Sequence, residues 1–218
     1  MTTELELELR DGWVEGGLAS EFPELRLVHA ALEARPGRSP RELKERLHGL
    51  ADRYTGAKVV HMRQDSVPWA YRVFARQVGI DPDIERTPVE AIALERLRHG
   101  GLRSQNLLDD ALTVAIAETG VPLVALDAER VGGELGLRVS QPGETLGELR
   151  PLSRSQIVIA DSERPVAVVL GDPAADAGVT PACRRMILCA LQVKGVPRIS
   201  VEEALWTAAE WLYTGRSG

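Results

Sequence analysis

The stretch that most restricts what this chain can fold into is Leu102 to Pro122, LRSQNLLDDALTVAIAETGVP. Leu107, Leu108, Ala111, Leu112, Val114 and Ala115 recur at helical spacing and cover most of its circumference with apolar surface. Ser104 stands where a hydroxyl can accept an unpaired backbone N–H, so it is the expected N-cap. Gly120 stops the helix, and Pro122 keeps it from resuming. Asn106, Asp110 and Thr113, at i, i+4 and i+7, then line one side. A polar row on a core-like helix is either buried and hydrogen-bonded or part of a site. Asp110 must find an arginine such as Arg138, find backbone N–H groups, or serve a ligand.

Helical signals dominate the chain before this stretch. Leu5, Leu7 and Leu9 alternate with glutamates and read as a half-buried strand, broken at Gly16–Gly17. Phe22 to Ala34 carries helical apolar spacing up to the Pro36–Gly37 turn. Ser39, Pro40 and Glu42 form a capping box for a helix running to about Tyr54. Ala57 to Met62 reads as a short strand and Ser66 to Val78 as a helix. Thr87, Pro88 and Glu90 open another helix, which ends at Gly100–Gly101.

Strand signals follow the central stretch, at Leu123–Leu126, Glu134–Val139, Gln156–Ala160, Val166–Leu170 and Arg184–Val193. Ser200 with Glu203 marks the start of a C-terminal helix, with Gly215 past its end. Helices first and strands later imply an α+β fold rather than alternating βαβ units. The expected organisation is residues 1–64 as an N-terminal strand and helices packed on a core at 65–193, then a C-terminal helix at 194–218.

Composition narrows the function classes. Aromatic residues make up 4% of the chain, so the core is expected to be aliphatic and alanine-rich. A formal charge of −6 argues against indiscriminate nucleic-acid binding, though not against a local basic patch. Cys183 and Cys189 have neither metal-binding spacing nor a nearby histidine, so no metal and no disulfide framework are expected. The opening MTTELELELR is too acidic for a signal peptide, and no apolar run reaches the roughly 20 residues of a membrane span. A soluble cytoplasmic protein is the expectation.

Nucleophile elbow, phosphate loop, dinucleotide fingerprint and metal-binding histidine pair are all missing from the sequence. His29, His48, His61 and His99 are scattered, and Leu170–Gly178 reads as a turn. Arg138 lies inside a strand, where its charge must face solvent or find a partner, and Glu144 reads as a solvated turn residue. Arg96, Arg98 and Arg103, and separately Arg184 and Arg185, can either meet phosphates or coat a solvated surface.

One ordered set of residues resembles a known family. Arg103-Ser104-x-Asn106, Asp110 and Gly120-x-Pro122 are similar to the opening of the B3/B4 editing module of the phenylalanyl-tRNA synthetase beta subunit. The likeness continues through Asp127, Val131-x-Gly133, Leu137-Arg138 and Gly143-Glu144. It runs on through Ile157 to Asp161, Pro165, Gly171 and Gly178-Val179, covering roughly Asp65 to Val193. The chain is identified as a free-standing member of that family. The resemblance implies an α+β fold with a β-sandwich-like core and flanking helices. It also implies a pocket that, in the synthetase, hydrolyses a mischarged aminoacyl-tRNA ester with a positioned water and without cofactor or metal.

The departures fall in that pocket. Where the family has a histidine and an aromatic residue, this chain has Val124 and Leu126. The family's pocket glutamate falls at Cys189, its threonine at Cys183, and an asparagine at Thr113, while Gly171 is kept. By the resemblance, the binding pocket comprises Asn106, Asp110, Thr113, Val124, Leu126, Gly171 and Cys189. Ser104, Asp127, Arg138 and Glu144 support it, and Arg184 and Arg185 are the candidate tRNA contacts. The expected partner is tRNA or aminoacyl-tRNA, or a small amino-acid-like ligand. Trans-hydrolysis of a mischarged ester and non-catalytic binding of the same kind of ligand both remain open.

Overall fold

A computed structural model describes residues 5–54, 61–148 and 150–214. Two four-stranded sheets, a two-stranded sheet pairing Thr145–Leu146 with Arg150–Pro151, and six α-helices make up the architecture among these residues, so the α+β expectation holds. Strands β1 (Arg10–Asp11) and β2 (Trp13–Val14) lead into α1 (Gly16–Glu21), β3 (Arg26–Glu33) and α2 (Arg41–Arg53). Then come α3 (Ser66–Gln77), α4 (Pro88–His99) and α5 (Leu107–Thr119), the helix of the Leu102–Pro122 stretch. Strand β4 (Leu123–Asp127) is followed by β5 (Gly136–Val139), β6 (Thr145–Leu146) and β7 (Arg150–Pro151). The chain ends with β8 (Ile157–Ala160), β9 (Pro165–Val168), β10 (Arg185–Gln192) and α6 (Arg198–Thr214).

The first sheet has the order β1-β3-β10-β4 and is antiparallel throughout. The second has the order β2-β5-β8-β9, with β2 parallel to β5 and the other pairs antiparallel. The chain passes from one sheet to the other at Gly12, whose N–H donates to Leu27 O while Trp13 N–H reaches Leu135 O. A Cβ on Gly12 would lie 2.6 Å from that carbonyl, and one on Gly136 would overlap the Trp13 ring. Only glycine lets the two sheets approach this closely.

Strand β10 is central, and β3 pairs with it from Arg185↔Glu33 to Gln192↔Arg26. Val28, Ala30 and Leu32 lie opposite Ala190, Leu188 and Met186, and all six are buried on one face. Helices α5 and α6 are packed together, and α6 also contacts β3 and β10. Its Val201, Ala204, Leu205, Ala208 and Leu212 recur every three or four residues and are buried. Tyr71 of α3 pins the sheet by donating its hydroxyl to Leu191 O at 2.5 Å. A second staple joins α3 to α4, where Arg72 donates to Glu90, a residue already closing the Thr87 capping box.

Several elements depart from the expectations. Phe22 to Ala34 contains strand β3 rather than a helix: sandwiched between β1 and β10, its backbone groups are taken by two ladders, and pairing overrides the helical preference of Leu and Ala. Residues 5–9 keep the alternating burial but have no ladder partner, so the expected strand is replaced by short β1 and β2. Ser39 does not cap α2, whose N-cap is Pro40, because its hydroxyl is engaged by Asp110. Ser104 does not cap α5 either; Asn106 does, accepting Asp109 N–H at 3.0 Å. Helix α6 begins at Arg198, which places Ser200 inside its first turn. Of the strand expected at Ala57–Met62, residues 57–60 lie outside the described residues, and Met62 begins a 3-10 turn.

Asp110 is the tie at the start of α5. Its carboxylate accepts from Ser39 Oγ and Ser104 Oγ, each at 2.5 Å, and from Gln105 N–H at 2.9 Å. Leu107 N–H donates to Gly37 O beside it. Asp110→Ala takes the acceptor from three donors, of which Ser39 is buried and Ser104 and Gln105 are exposed, for an expected loss of about 1–3 kcal/mol. Urea denaturation of the ligand-free protein measures this, and unchanged stability would remove the tie from the account.

Candidate functional site

The β4–β10 ladder sets the candidate site. Val124 and Cys189 are direct partners, and Cys189 lies opposite His29 on its other side. Opposed residues in an antiparallel pair share a face. That face looks toward the second sheet, since Leu27, two residues before His29, comes within 3.1 Å of a Cβ on Gly12. A cavity of about 30 Å³ opens here, lined by Val124, Cys189 and Leu191 of the first sheet, by Ile159 and Val168 of the second, and by Pro88 and Pro122. The segment Val169–Gly171 closes it. There is room for a water or two, and none for an aromatic ring.

The closing segment is held in an uncommon conformation. Leu170 has φ +60°, and Gly171 N–H turns back to Val168 O at 3.0 Å. A left-handed conformation in a bulky residue costs on the order of 1–3 kcal/mol and persists only where neighbours impose it. Here Val169 N–H is tied to Ile157 O and Val168 N–H to Asp172 O.

The cavity thus brings together Val124, Gly171 and Cys189 and leaves the other candidate residues elsewhere. Asp110 is consumed by the α5 tie, and Asn106 is engaged reciprocally with Asp109. Thr113 sits half-buried farther along the same helix, and Leu126 is wholly buried in the core opposite Ile187. Ser104 donates to Asp110. Asp127 accepts Glu129 N–H at the end of β4 and lies 3.6 Å from Arg130. Arg184 turns its guanidinium back onto Ala182 O and Cys183 O, at 2.8 and 2.9 Å, while Arg185 stays exposed opposite Glu33.

Arg138 and Glu144 form a two-pronged ion pair at 2.8 and 2.5 Å, so Glu144 is not a merely solvated turn residue. Glu144 also accepts Gln141 N–H. Sequence reading missed the pairing because the partners sit on a strand and on the turn that follows it. The hydrogen bond from Arg138 holds the Glu144 carboxyl below its ordinary range. Burial pushes the Cys189 thiol up to about 12, so it stands as a neutral thiol near pH 7.

A larger cavity of about 480 Å³ opens at the far end of α5, among Arg46, Arg53, Tyr54, Asp65, Ser66 and Glu203. Arg46 is paired there with Glu118, and Tyr54 donates to Ala117 O, so much of its polar lining is engaged within the protein. Clusters of residues able to hold a metal ion are not found among the described residues. No helix among them is long and apolar enough to cross a membrane.

Two outcomes follow. Glu144→Gln should lower stability by about 1–3 kcal/mol at pH 7. A depressed folded-state pKa stabilises above the unfolded value of about 4.3 and ceases to do so as pH falls through the folded value. The gap between wild type and variant in urea melts should therefore be constant at neutral pH and close under acid; a pH-independent gap would contradict the ion pair. Both thiols are buried, and Cys183 is pushed up to about 11 by burial. Iodoacetamide at pH 7.5 should leave the native mass unchanged and add two groups in urea, whereas rapid native labelling of Cys189 would mean an open pocket.

A profile of the B3/4 domain matches residues 70–210. The phenylalanine–tRNA ligase beta subunit of Xanthomonas euvesicatoria pv. vesicatoria is 37% identical over 114 residues, covering 50% of this chain and 14% of that subunit. That of Gloeobacter violaceus is 40% identical over 91 residues, 38% of this chain and 12% of the subunit. The Methylococcus capsulatus subunit is 39% identical over 93 residues, 39% and 12% respectively. The chain thus spans no more than 14% of the length of these relatives. With a profile match over more than half of its residues, the chain belongs to the B3/4 domain family.

Proposed function

We propose that this chain recognises the aminoacyl end of a tRNA and hydrolyses a mischarged ester through a positioned water, with a small aliphatic side chain facing the Val124–Cys189 pair. The observation that carries this reading is the cavity on the β4–β10 ladder, lined by apolar side chains and far too small for a ring. Kinship with the beta subunits of phenylalanine–tRNA ligase supports the tRNA-ester class. The substitution pattern supports a changed amino acid. A site that has lost its buried hydrogen-bonding groups no longer selects a hydroxylated ring over an unhydroxylated one.

Chemistry in such a pocket rests on orientation. Its one titratable side chain is Cys189, a neutral thiol that neither takes a proton nor attacks an ester at neutral pH. A water held against the ester carbonyl by the walls and by the substrate's own hydroxyl groups is the remaining route. The same observation favours a second reading, a binding module that holds the aminoacyl group without cleaving it.

Deacylation of a panel of mischarged tRNAs separates the two. The expected result is hydrolysis of an ester with a small aliphatic side chain and none of a tyrosyl ester. Val124→Ala should shift the preference toward a side chain longer by a methylene, within the roughly 10–200-fold that such a group is worth. Failure to deacylate any member, together with a rise in Tm on adding a non-hydrolysable aminoacyl analogue, would replace the hydrolase by the binding module.

A further inference from the structure

Beside the apolar cavity lies a second one with a different lining. It measures about 100 Å³ and is bounded by Arg86, Arg150, Gln156, Thr87 and Glu85. The two cavities share the whole Val168–Gly171 segment as a common wall. They also meet at α4, where Thr87 lines one and Pro88 the other. An apolar hole and a basic hole therefore sit side by side, one residue apart at α4.

The lining of this cavity holds two arginines, Arg86 and Arg150, against one carboxylate, Glu85, and the carboxylate that Arg86 reaches behind it is contested. Asp83 is shared by Arg72 at 2.7 Å, Arg76 and Arg86 each at 3.4 Å, and Arg63 at 3.6 Å. Glu90 takes Arg72 again at 2.7 Å and Arg63 at 3.0 Å. Four guanidiniums thus share two carboxylates. Arg86 has the long contacts, to Asp83 and to Pro82 O, both at 3.4 Å, which leaves most of its five N–H donors unsatisfied. Arg150 is exposed on β7 and makes no ion pair among the described residues. Gln156 uses its side-chain oxygen on Ser153 N–H, and its amide NH₂ has no protein acceptor among the described residues. Glu85 is the one carboxylate in the lining, and Asp81 nearby is engaged by Asp83 N–H. In a chain of net charge −6, a lining with two arginines against one carboxylate is a local exception.

We propose that the Arg86–Arg150 cleft is a phosphate subsite, which holds the phosphodiester of an RNA strand's terminal nucleotides while the aminoacyl group attached to that strand enters the apolar cavity. The assignment rests on the reading under Proposed function for the class of ligand, and on the arginines for where its phosphate goes. Arginine suits the task because its planar donor fork matches two phosphate oxygens. A free nucleotide presents the same phosphate chemistry, so the test must separate the two sources.

The experiment uses the full chain and measures binding, not hydrolysis. One probe is a labelled RNA hairpin with an unpaired 3′ tail, and the other is 5′-AMP. Expected for the hairpin is salt-sensitive binding that weakens by about tenfold in Arg150→Glu, with the slope of log K against log salt reduced by about 0.7 for the lost phosphate contact. Arg150 is exposed and unpaired, so this variant should keep the wild-type Tm; Arg86→Ala should weaken binding likewise wherever its Tm shows it folded. Lys44→Glu, on the exposed face of α2 and outside the lining of both cavities, should bind as wild type. Equal binding by Arg150→Glu and wild type, or an equal loss in Lys44→Glu, would overturn the subsite. AMP binding as tightly as the hairpin would overturn its assignment to RNA. A chain that binds RNA through Arg150 but cleaves no ester would keep this inference and lose the hydrolase; cleavage with an unchanged KM in Arg150→Glu would do the reverse.

Discussion

The pairing of β3 with β10 is the constraint on which the rest depends. It joins a strand near the start of the chain to one near its end, over the full length of both. Closing so long a loop is entropically costly, and the ladder repays it with a continuous buried face from Val28 to Leu32 and from Met186 to Ala190. Once β10 is held there, β4 has one edge left to join, and the register that pairs Ala125 with Leu188 also sets Val124 against Cys189. A slip of β4 by one residue would turn Val124 to the helical side and take it out of the cavity wall. The candidate pocket is thus a consequence of the ladder that holds the sheet together.

Carboxylates carry the next level of organisation. Asp110 gathers two hydroxyls and an amide at the start of α5. Asp161 gathers the amides of Gly132, Glu163 and Arg164 in the β8–β9 turn. Burial opposes its charge, but the three amides outweigh this and draw its pKa down. Glu90 closes a helix cap and receives two arginines, and Glu144 receives Arg138. Each of these groups is satisfied by the protein itself, which is how a buried charge is tolerated. No buried side-chain polar atom among the described residues is left without a partner. At the edge, Arg86 and Arg150 keep donors that no acceptor among the described residues takes up, and an anion can use them.

What the sequence disclosed follows the range of the forces involved. Local signals read well: the Thr87–Glu90 capping box, the Gly100 and Gly120 stops, and the β4, β5, β8, β9 and β10 strands all stand close to where spacing puts them. Non-local ones did not. Phe22–Ala34 has helical spacing, yet partners at both edges make its core a strand. Ser39 and Ser104 each have the chemistry of a cap, and each instead serves a carboxylate, for Ser39 one 71 positions away. The family resemblance put Asn106, Thr113, Val124, Gly171 and Cys189 on one wall, and the cavity is lined by the last three and by neither Asn106 nor Thr113. The Arg86–Arg150 cleft carried no sequence signal, because its arginines lie 64 positions apart, brought together by the fold.

The two adjoining cavities divide the problem of selectivity. An apolar pocket discriminates by size, and a single methylene is worth only about 1–3 kcal/mol. It is equally poor at rejecting an isostere that adds a hydroxyl. A cavity walled by Val124, Cys189, Ile159 and Val168 can therefore exclude rings and long chains, but it separates small side chains weakly. Under the proposed function, further selectivity has to come from what the side chain is attached to. Charged donors beside the pocket add that second requirement, because leaving arginine donors unpaired against a ligand without phosphate forfeits their charge-assisted bonds. A weakly discriminating pocket coupled to a phosphate subsite would respond to a small amino acid on RNA and disregard the same amino acid free in solution.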